Sequence, residues 1–297
     1  EISDSFLENN IEGEQAKATI MGMFARGLGN DLEEASFVGN TLGVATLQSI
    51  AIPGGDATKY VKDNFLSLVN GYLKQALSGN VVDIADAEVS PEVLSKMLKA
   101  MPARFKRNYG DLRFFMPINL VQHYREVLST RSTGLGDLVL NSNGELSAYG
   151  VKIVGLSKMP EQPSIVEHTS LAGTTAFQLA NEPVSNVKVF SQSLGAIATS
   201  PAAGSDLTVD LTLGTVARSG GSTLTDPYAA KIVYDAQPQV LLTNPKNLII
   251  AIGRQIRLEE DRNIFGRRTE AVLSGKFDVA VEEVDALVLG KNVKIPS

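Results

Sequence analysis

The stretch SPEVLSKMLKAMPARFKRNYGDLRFFMP, residues 90–117, decides the fold class because it predicts a helix that is soon followed by a strand. Ser90 before Pro91 is the pattern of a helix start, since Ser caps the first free amides and Pro fits the first turn. Residues 112–116 form a short, mostly apolar run that predicts a strand. The helix carries an apolar stripe at helical spacing, made of Val93, Leu94, Met97 and Leu98.

Further helices and strands are predicted on both sides of this stretch. Helices are predicted over residues 14–28 with an end at residues 29 and 30, over 60–77, and over 117–128. Strands are predicted at 151–156, 187–190, 207–213, 214–217, 231–234, 248–252 and 254–261, and around Phe277, Val279 and Val281. Because helices and strands do not alternate regularly, the expected class is α+β rather than a doubly wound fold.

The composition changes between about residues 164 and 237, where charged residues become rare and Ser, Thr, Ala and Gly are frequent. The short strands predicted there are separated by turn clusters such as residues 219–222. We predict that this region is an inserted small β-sandwich. A chain of 297 residues is long enough for two modules or for one domain with such an insertion.

The overall composition argues against several classes of function. Apolar residues make up 43% of the chain and charged residues 20%, which is ordinary for a folded protein. The formal net charge of -6 leaves no broad basic surface for wrapping DNA or docking on anionic lipid. The sequence has no cysteine, which removes disulfides, thiol nucleophiles and thiolate metal sites and suits a reducing cytosol.

Targeting signals are not visible in the sequence. No apolar run approaches the roughly 20 residues that cross a bilayer, and no charged start leads into an apolar segment. We therefore expect a soluble protein that is not secreted. The sequence begins at Glu1 rather than Met, so we expect that a further segment precedes it.

Short motifs spread along the chain resemble one family of viral structural proteins. The motifs are GNDLEE (29–34) and GNT (39–41) after the early helix, LSKM (94–97), DLRFF (111–115), LGD (135–137), LLTNP (241–245), and the charged positions Arg254, Arg257, Asp261 and Arg262. In this order and spacing they resemble the major capsid proteins of tailed bacteriophages, whose fold is named after phage Hong Kong ninety-seven. Residues 183–187 and 214–216 resemble the small immunoglobulin-like modules of phage structural proteins.

The resemblance implies a domain plan. It predicts a peripheral-domain part with a long spine helix over residues 1–80 and an axial domain over 81–163. The inserted β module would cover 164–237, and residues 238–297 would supply an axial strand and the return to the peripheral domain. The family's N-terminal arm and extended loop, which should precede the spine helix, are not found in this sequence.

The resemblance also implies a structural function without catalysis. Copies of the chain would assemble as hexamers and pentamers into an icosahedral shell that encloses double-stranded phage DNA. The other expected partners are scaffolding, portal and decoration proteins, with only weak contact to the packaged DNA and none to a membrane. The expected location is the virion capsid, assembled in the host cytoplasm.

Charged residues near the end of the chain are the candidate intersubunit contacts. The acidic run at residues 259–261 suggests carboxylate chemistry or a cation site, but a strand places neighbouring side chains on opposite faces. Ion pairs between subunits or solvated charge fit better, and exposed pairs contribute only about 0–1 kcal/mol each. The candidates are Arg254, Arg257, Glu259, Asp261, Arg262, Arg267 and Arg268.

No catalytic, cofactor-binding or metal-binding residue is predicted. His123 and His168 have no partners at the spacing of a zinc site or a catalytic triad. The glycines at residues 134–136 lack the Lys and the Ser or Thr of a phosphate-binding loop, and no Gly-x-Ser-x-Gly elbow occurs. The basic group at residues 104–107 favours a solvated loop or a subunit contact over nucleic-acid binding in this acidic chain.

Three other functions stay open on the sequence alone. An encapsulin-like bacterial shell that stores an enzyme would share the same fold, although the β insertion favours a virion. A tail protein or adhesin with an immunoglobulin-like module belongs to a different class, and the helical first half fits it poorly. A hydrolase would need a convergent catalytic cluster, which the sequence does not reveal.

Overall fold

The computed structural model describes residues 2–3, 15–41, 45–52, 55–62, 65–129, 146–159, 164–170, 176–179, 184–191, 197–199, 207–212, 215–218, 229–263, 265–266 and 268–294. For parts of several strands and for the first residues of the early helix, it describes the backbone alone.

The described residues form a mixed α+β fold. The helices are α1 (Gln15–Val38), α2 (Tyr72–Ala76), α3 (Pro91–Ala100) and α4 (Ile118–Ser129). The strands are β1 (Ile2–Ser3), β2 (Ala45–Ile52), β3 (Gly55–Lys62), β4 (Asn80–Ala87), β5 (Arg113–Pro117), β6 (Ser147–Ala148), β7 (Val151–Leu156), β8 (Ser164–Ser170), β9 (Ala176–Gln178), β10 (Val184–Ser191), β11 (Ile197–Thr199), β12 (Leu207–Asp210), β13 (Thr215–Arg218), β14 (Ala229–Ala236), β15 (Val240–Thr243), β16 (Leu248–Asn263), β17 (Arg268–Val281) and β18 (Val288–Val293). Short 3-10 turns lie at Ala103–Lys106, Tyr109–Asp111, Pro245–Asn247 and Val284–Ala286.

The stretch over residues 90–117 folds as predicted. At the start of α3 the Ser90 hydroxyl accepts a hydrogen bond from the amide of Val93 at 3.4 Å. The predicted apolar stripe of this helix is buried. Strand β5 and helix α4 follow, and Leu120 and Tyr124 of α4 are buried as well.

Helix α1 continues past its predicted end. The prediction of an end at residues 29 and 30 is wrong, because the helix runs to Val38. Gly29 inside the helix lowers helix stability by only about 1 kcal/mol relative to alanine. Packing of the last turn, where Ala35 and Phe37 are buried, offsets that loss. Tertiary contacts therefore fix where this helix ends.

The segment over residues 60–77 is not one helix, so that prediction is also wrong. Its start belongs to β3, and only its end is helical, as α2. The Gly71 amide donates to the Gly39 carbonyl at 2.7 Å. A Cβ built on Gly71 would lie 2.6 Å from the carbonyl oxygen of Phe37. This backbone contact joins the start of α2 to the end of α1, and the pattern of one segment cannot reveal it.

A six-stranded mixed sheet lies at the centre, in the order β4-β18-β15-β5-β7-β6. The pairs β18–β4 and β5–β7 are parallel. Because neighbouring residues of a strand face opposite sides, Phe114 and Met116 of β5 enter a core with α3 and α4. Phe115 enters a second core with α2 and the end of α1. The sheet is therefore covered on both faces, which explains the unbroken apolar run in β5.

The region over residues 164–236 contributes two further sheets. Their strand orders are β11-β10-β14-β8 and β12-β13-β9, so these strands pair within the region among the described residues. The strands predicted here are present, with bounds shifted by a few residues. The two sheets are joined by a hydrogen bond from the Val184 amide to the Leu211 carbonyl at 2.9 Å. The predicted turn at residues 219–222 lies outside the described residues.

Strands β16 and β17 form a long antiparallel hairpin, inserted between the neighbouring sheet strands β15 and β18. The strands predicted at residues 248–252 and 254–261 are one continuous strand. Its pairing with β17 crosses Gly253 with register irregularities, which account for the break in its pattern. At the far end β1 adds a short third strand, with Ile2 opposite Thr269.

A second, shorter hairpin is formed by β2 and β3, with Ile52 opposite Gly55. The Pro-Gly-Gly sequence of residues 53–55 predicts a loop after β2. Residues 53 and 54 lie outside the described residues, and Gly55 begins β3.

Candidate intersubunit contact surface

The predicted contact residues fall on the long hairpin. Arg254, Arg257, Glu259 and Asp261 lie on β16 and are exposed. The backbone places Arg262 on β16 and Arg268 on β17, whereas Arg267 lies outside the described residues. The sequence therefore predicted charges that the fold gathers on one projecting element.

The hairpin carries like charges opposite each other. Arg254 lies opposite Lys276, and nearer the tip Asp261 lies opposite Glu270. Like charges directly across an antiparallel pair are unfavourable. The hairpin is thus basic at Arg254 and Lys276 and acidic at Asp261 and Glu270, with Arg262 and Arg268 next to the tip. Oppositely charged neighbouring surfaces would stabilise such a distribution.

The hairpin base is only partly covered by the described part of the chain. On β17, Val279 is buried in the core around α2, whereas isoleucines of β16 stay exposed. Ile249 and Ile250 are consecutive, so they point to opposite faces, and both are exposed. Ile252 is 58% exposed, and Val272 is exposed on the partner strand. Large apolar side chains grouped on an open element typically mark an interaction site.

Helix α1 is a second exposed apolar element. Residues 22–26 are all exposed, and five consecutive residues cover more than a full helical turn. Met23 is 65% and Phe24 53% exposed. A Cβ built on Gly22 would meet no atom within 4 Å. The helix is therefore held by its last turn while its middle packs against nothing among the described residues.

Sequence reasoning predicted the helix but not its exposure. Ile20, Met23, Phe24 and Leu28 recur at helical spacing and form an apolar stripe. In the structure, however, Met23 and Phe24 lie in the open part of the helix. An apolar stripe has the same spacing whether it meets a core or another molecule. No signal in the sequence separates the two cases.

The two histidines lie in different parts of the fold. His123 on α4 lies with Nε2 3.5 Å from Glu88 Oε2 and Nδ1 3.8 Å from Glu126 Oε2. Lys294 donates a hydrogen bond to Glu88, and this bond and the positive charge of Lys294 hold the pKa of Glu88 below its usual value. His123 has a smaller effect in the same direction. His168 lies on β8 opposite Lys231. Within the described residues there is no cluster of three or more His, Asp or Glu that could hold a metal.

Within the basic group at residues 104–107, Arg104 is engaged by the rest of the chain. The Arg104 guanidinium lies 3.0 Å from a carboxylate oxygen of Glu283 and 2.7 Å from one of Asp285. It also lies 4.5 Å from the centre of the Phe105 ring. These contacts tie Arg104 to the chain between β17 and β18.

The glycines at residues 134–136 lie outside the described residues. In the part of the chain that the structure describes, no helix is long and apolar enough to cross a bilayer.

Comparison with curated proteins gives one informative similarity. The chain is 26% identical, over 289 residues, to the Bacillus subtilis (strain 168) protein named "Putative prophage capsid protein YqbE". The alignment covers 97% of this chain and 65% of that protein, so the chain spans about two thirds of its relative's length. No family model matches the chain.

Proposed function

We propose that this chain is the shell-forming part of a tailed-phage major capsid protein with the Hong Kong ninety-seven type of fold. Its copies would assemble as hexamers and pentamers into an icosahedral shell around double-stranded DNA. The similarity of nearly the whole chain to a protein named as a prophage capsid protein supports this function. The role is structural, and the chain supplies contacts rather than catalysis.

The observation that carries the proposal is a pair of elements on which large apolar side chains stay exposed in the described part of the chain. The hairpin base exposes Ile249, Ile250 and Ile252, and α1 exposes Met23 and Phe24. Full burial of one such side chain stabilises a contact by about 1.5–3 kcal/mol before association costs. Open elements of this kind fit a protein that completes its packing with copies of itself.

The charges on the hairpin favour a contact between different parts of neighbouring copies. The base is basic at Arg254 and Arg257, and the section beyond it is acidic at Glu259 and Asp261. The base of one hairpin can then lie against the acidic section of the next, and such a heterologous contact closes into rings. Charge complementarity of this kind sets register more than affinity. The predicted contact residues would act in this way.

The domain plan follows from the sheets. We assign the six-stranded sheet with α3 and α4 to the axial domain, and α1 with the long hairpin to the peripheral domain. The two sheets of residues 164–236 would be the immunoglobulin-like insertion. Because their strands pair among themselves in the described residues, the insertion can project without interrupting the central sheet.

Other partners follow from the same role. Scaffolding, portal and decoration proteins would contact the shell, and assembly would take place in the host cytoplasm before the chain becomes part of the virion. With a net charge of -6, contact with packaged DNA would be weak, because affinity for phosphate depends on the number of cationic contacts.

The proposal is tested by electron microscopy of the full-length protein, expressed alone and with its neighbouring phage genes. We expect rings or closed particles for the unmodified protein. Ile250→Asp and Phe24→Asp should prevent assembly, since each places a charge in a contact that must lose water. Tyr149→Asp is the matched control, because Tyr149 is an exposed apolar side chain outside both elements.

Each variant should keep its far-ultraviolet circular dichroism and its melting temperature, because all three positions are exposed. Assembly by Ile250→Asp and Phe24→Asp as complete as in the control would show that these elements are not the contacts. A monomer for the unmodified protein under both conditions, checked by light scattering, would overturn self-assembly as the function. It would reopen the adhesin and enzyme alternatives.

A further inference from the structure

The two chain segments that join the long hairpin to the six-stranded sheet are held together by side chains, together with a backbone hydrogen bond from the Glu282 amide to the Asn247 carbonyl at 3.1 Å. We call these segments, residues 244–247 and 282–287, the neck. The last sheet pair before the neck is Leu242 with Val288, and the first hairpin pair after it is Leu248 with Val281. Between these pairs the regular ladder of strand β15 with β18 is interrupted.

Asn247 continues the ladder across this interruption. Its side-chain Nδ2 donates to the Glu283 carbonyl at 2.9 Å, and its Oδ1 accepts from the Glu283 amide at 2.8 Å. A side-chain amide has the same donor and acceptor as a peptide group. The two bonds therefore repeat the exchange made by a hydrogen-bonded pair of antiparallel residues.

Thr243 extends the same network to the sheet. Asn247 Nδ2 also donates to Thr243 Oγ1 at 3.2 Å, and that hydroxyl donates to the Ala286 carbonyl at 3.1 Å. Thr243 and Asn247 are both buried. A buried polar network whose members are all paired makes a structure rigid, because leaving any member unpaired is costly.

Gln75 holds the hairpin from the other side. This α2 residue donates from Nε2 to the Val279 carbonyl at 3.0 Å, and its Oε1 accepts from the Val281 amide at 3.1 Å. Nε2 also donates to the Asn70 carbonyl at 2.6 Å. Gln75 thus bonds to the free edge of β17 in the way that a residue of a neighbouring strand would. It links the hairpin base to α2, the helix that packs on α1.

We propose that Asn247, Thr243 and Gln75 form an amide lock that fixes the direction of the long hairpin relative to the six-stranded sheet, and that this direction sets the curvature of the assembled shell. The second part rests on the proposed function. All three are positioning residues, since they act through the hairpin rather than by touching another copy. A hairpin free to swing at the neck would present its contacts at several angles, whereas a locked hairpin presents them at one.

The first test is hydrogen exchange of the full-length protein. We expect Asn247→Ala and Thr243→Val to speed exchange of the Glu283 amide at least tenfold, because this amide donates to Asn247 Oδ1. Gln75→Ala should do the same at Val281. Thr243→Ser keeps the hydroxyl and should restore slow exchange. Asn244→Ala is the matched control, because the Asn244 side chain accepts from the Lys246 amide within one segment of the neck and does not bridge the two segments in the described contacts.

The second test is the diameter of assembled particles by electron microscopy. We expect one narrow distribution for the unmodified protein, Thr243→Ser and Asn244→Ala, and a broad one for Asn247→Ala, Thr243→Val and Gln75→Ala. Unchanged exchange of the six-stranded sheet amides checks that each variant folds. Gln75→Ala serves if Asn247→Ala fails to fold, because Gln75 is not fully buried.

Unchanged neck exchange in both Asn247→Ala and Gln75→Ala would overturn the lock. Faster exchange with one unaltered particle diameter would overturn its role in curvature. If the unmodified protein forms no particles, the proposed function fails, and the exchange comparison alone then decides whether the lock exists.

Discussion

Strands β15 and β16 are adjacent in the chain, and both are rich in apolar residues, yet their surroundings differ completely. Val240, Leu241 and Leu242 of β15 are wholly buried, because the sheet is covered by helices on both faces. Ile249, Ile250 and Ile252 of β16 begin only a few residues later and are exposed. Between them lies the neck, where the chain leaves the sheet.

This difference teaches that apolar residues in one chain serve two purposes. In the sheet they are buried and stabilise the fold, whereas on β16 they stay exposed and, under the proposed function, are available for contact with another copy. The two regions should therefore respond differently to the same kind of substitution.

The largest expected effect separates stability from assembly. Phe114→Ala should lower the free energy of unfolding by about 3–5 kcal/mol, because it leaves a cavity in a fully buried site. Ile250→Ala should lower it by less than about 1 kcal/mol, since the side chain is exposed. Chemical denaturation of both variants measures the difference. Equal losses would show that the Ile250 side chain is packed as firmly as that of Phe114.

The second expected effect uses pH to probe the core that covers the other face of the sheet. Burial raises the pKa of Tyr72 to about 12, from an ordinary value of 10.0. The neutral phenol is favoured in the folded state, so its stabilisation is complete below pH 10 and is lost as the pH rises from 10 to 12. The loss should approach about 3 kcal/mol.

The matched variant for this titration is Tyr72→Phe. Comparing its free energy of unfolding with that of the unmodified protein at pH 9 and pH 12 removes the contribution of every other group. A difference that does not change with pH would show that Tyr72 reaches water.

The smallest expected effect compares two glycines. Gly71→Ala should destabilise the fold by about 1–3 kcal/mol, because the new Cβ would lie 2.6 Å from the Phe37 carbonyl oxygen. Gly22→Ala should stabilise it by up to about 1 kcal/mol, since this helical position is open. Thermal melting of both variants distinguishes them, and a loss for Gly22→Ala would show that α1 is packed along its length.

The sequence predicts the end of a helix correctly where residues next to that end determine it. Ser90 and Pro91 begin α3 because capping and the fixed proline backbone act within one turn. The end of α1 and the start of α2 were missed because the contact of Gly39 with Gly71 joins segments far apart in sequence.

The sequence indicates the charged residues of the candidate contact surface but not its apolar residues. The charged residues of β16 stand out in a sequence, since charge is rarely buried. The exposed isoleucines of the same strand and the open face of α1 do not, because core and contact surfaces use the same residues. Only the fold shows which apolar residues lack a neighbour within the chain.

The most direct test of the account measures whether the open elements become covered on assembly. The sequence has no cysteine, so single substitutions Ile250→Cys, Met23→Cys and Tyr149→Cys each place a reporter for a thiol reagent. We predict that labelling at Ile250→Cys and Met23→Cys slows at least tenfold in assembled particles, while labelling at Tyr149→Cys is unchanged. Equal rates before and after assembly at the first two positions would contradict the account.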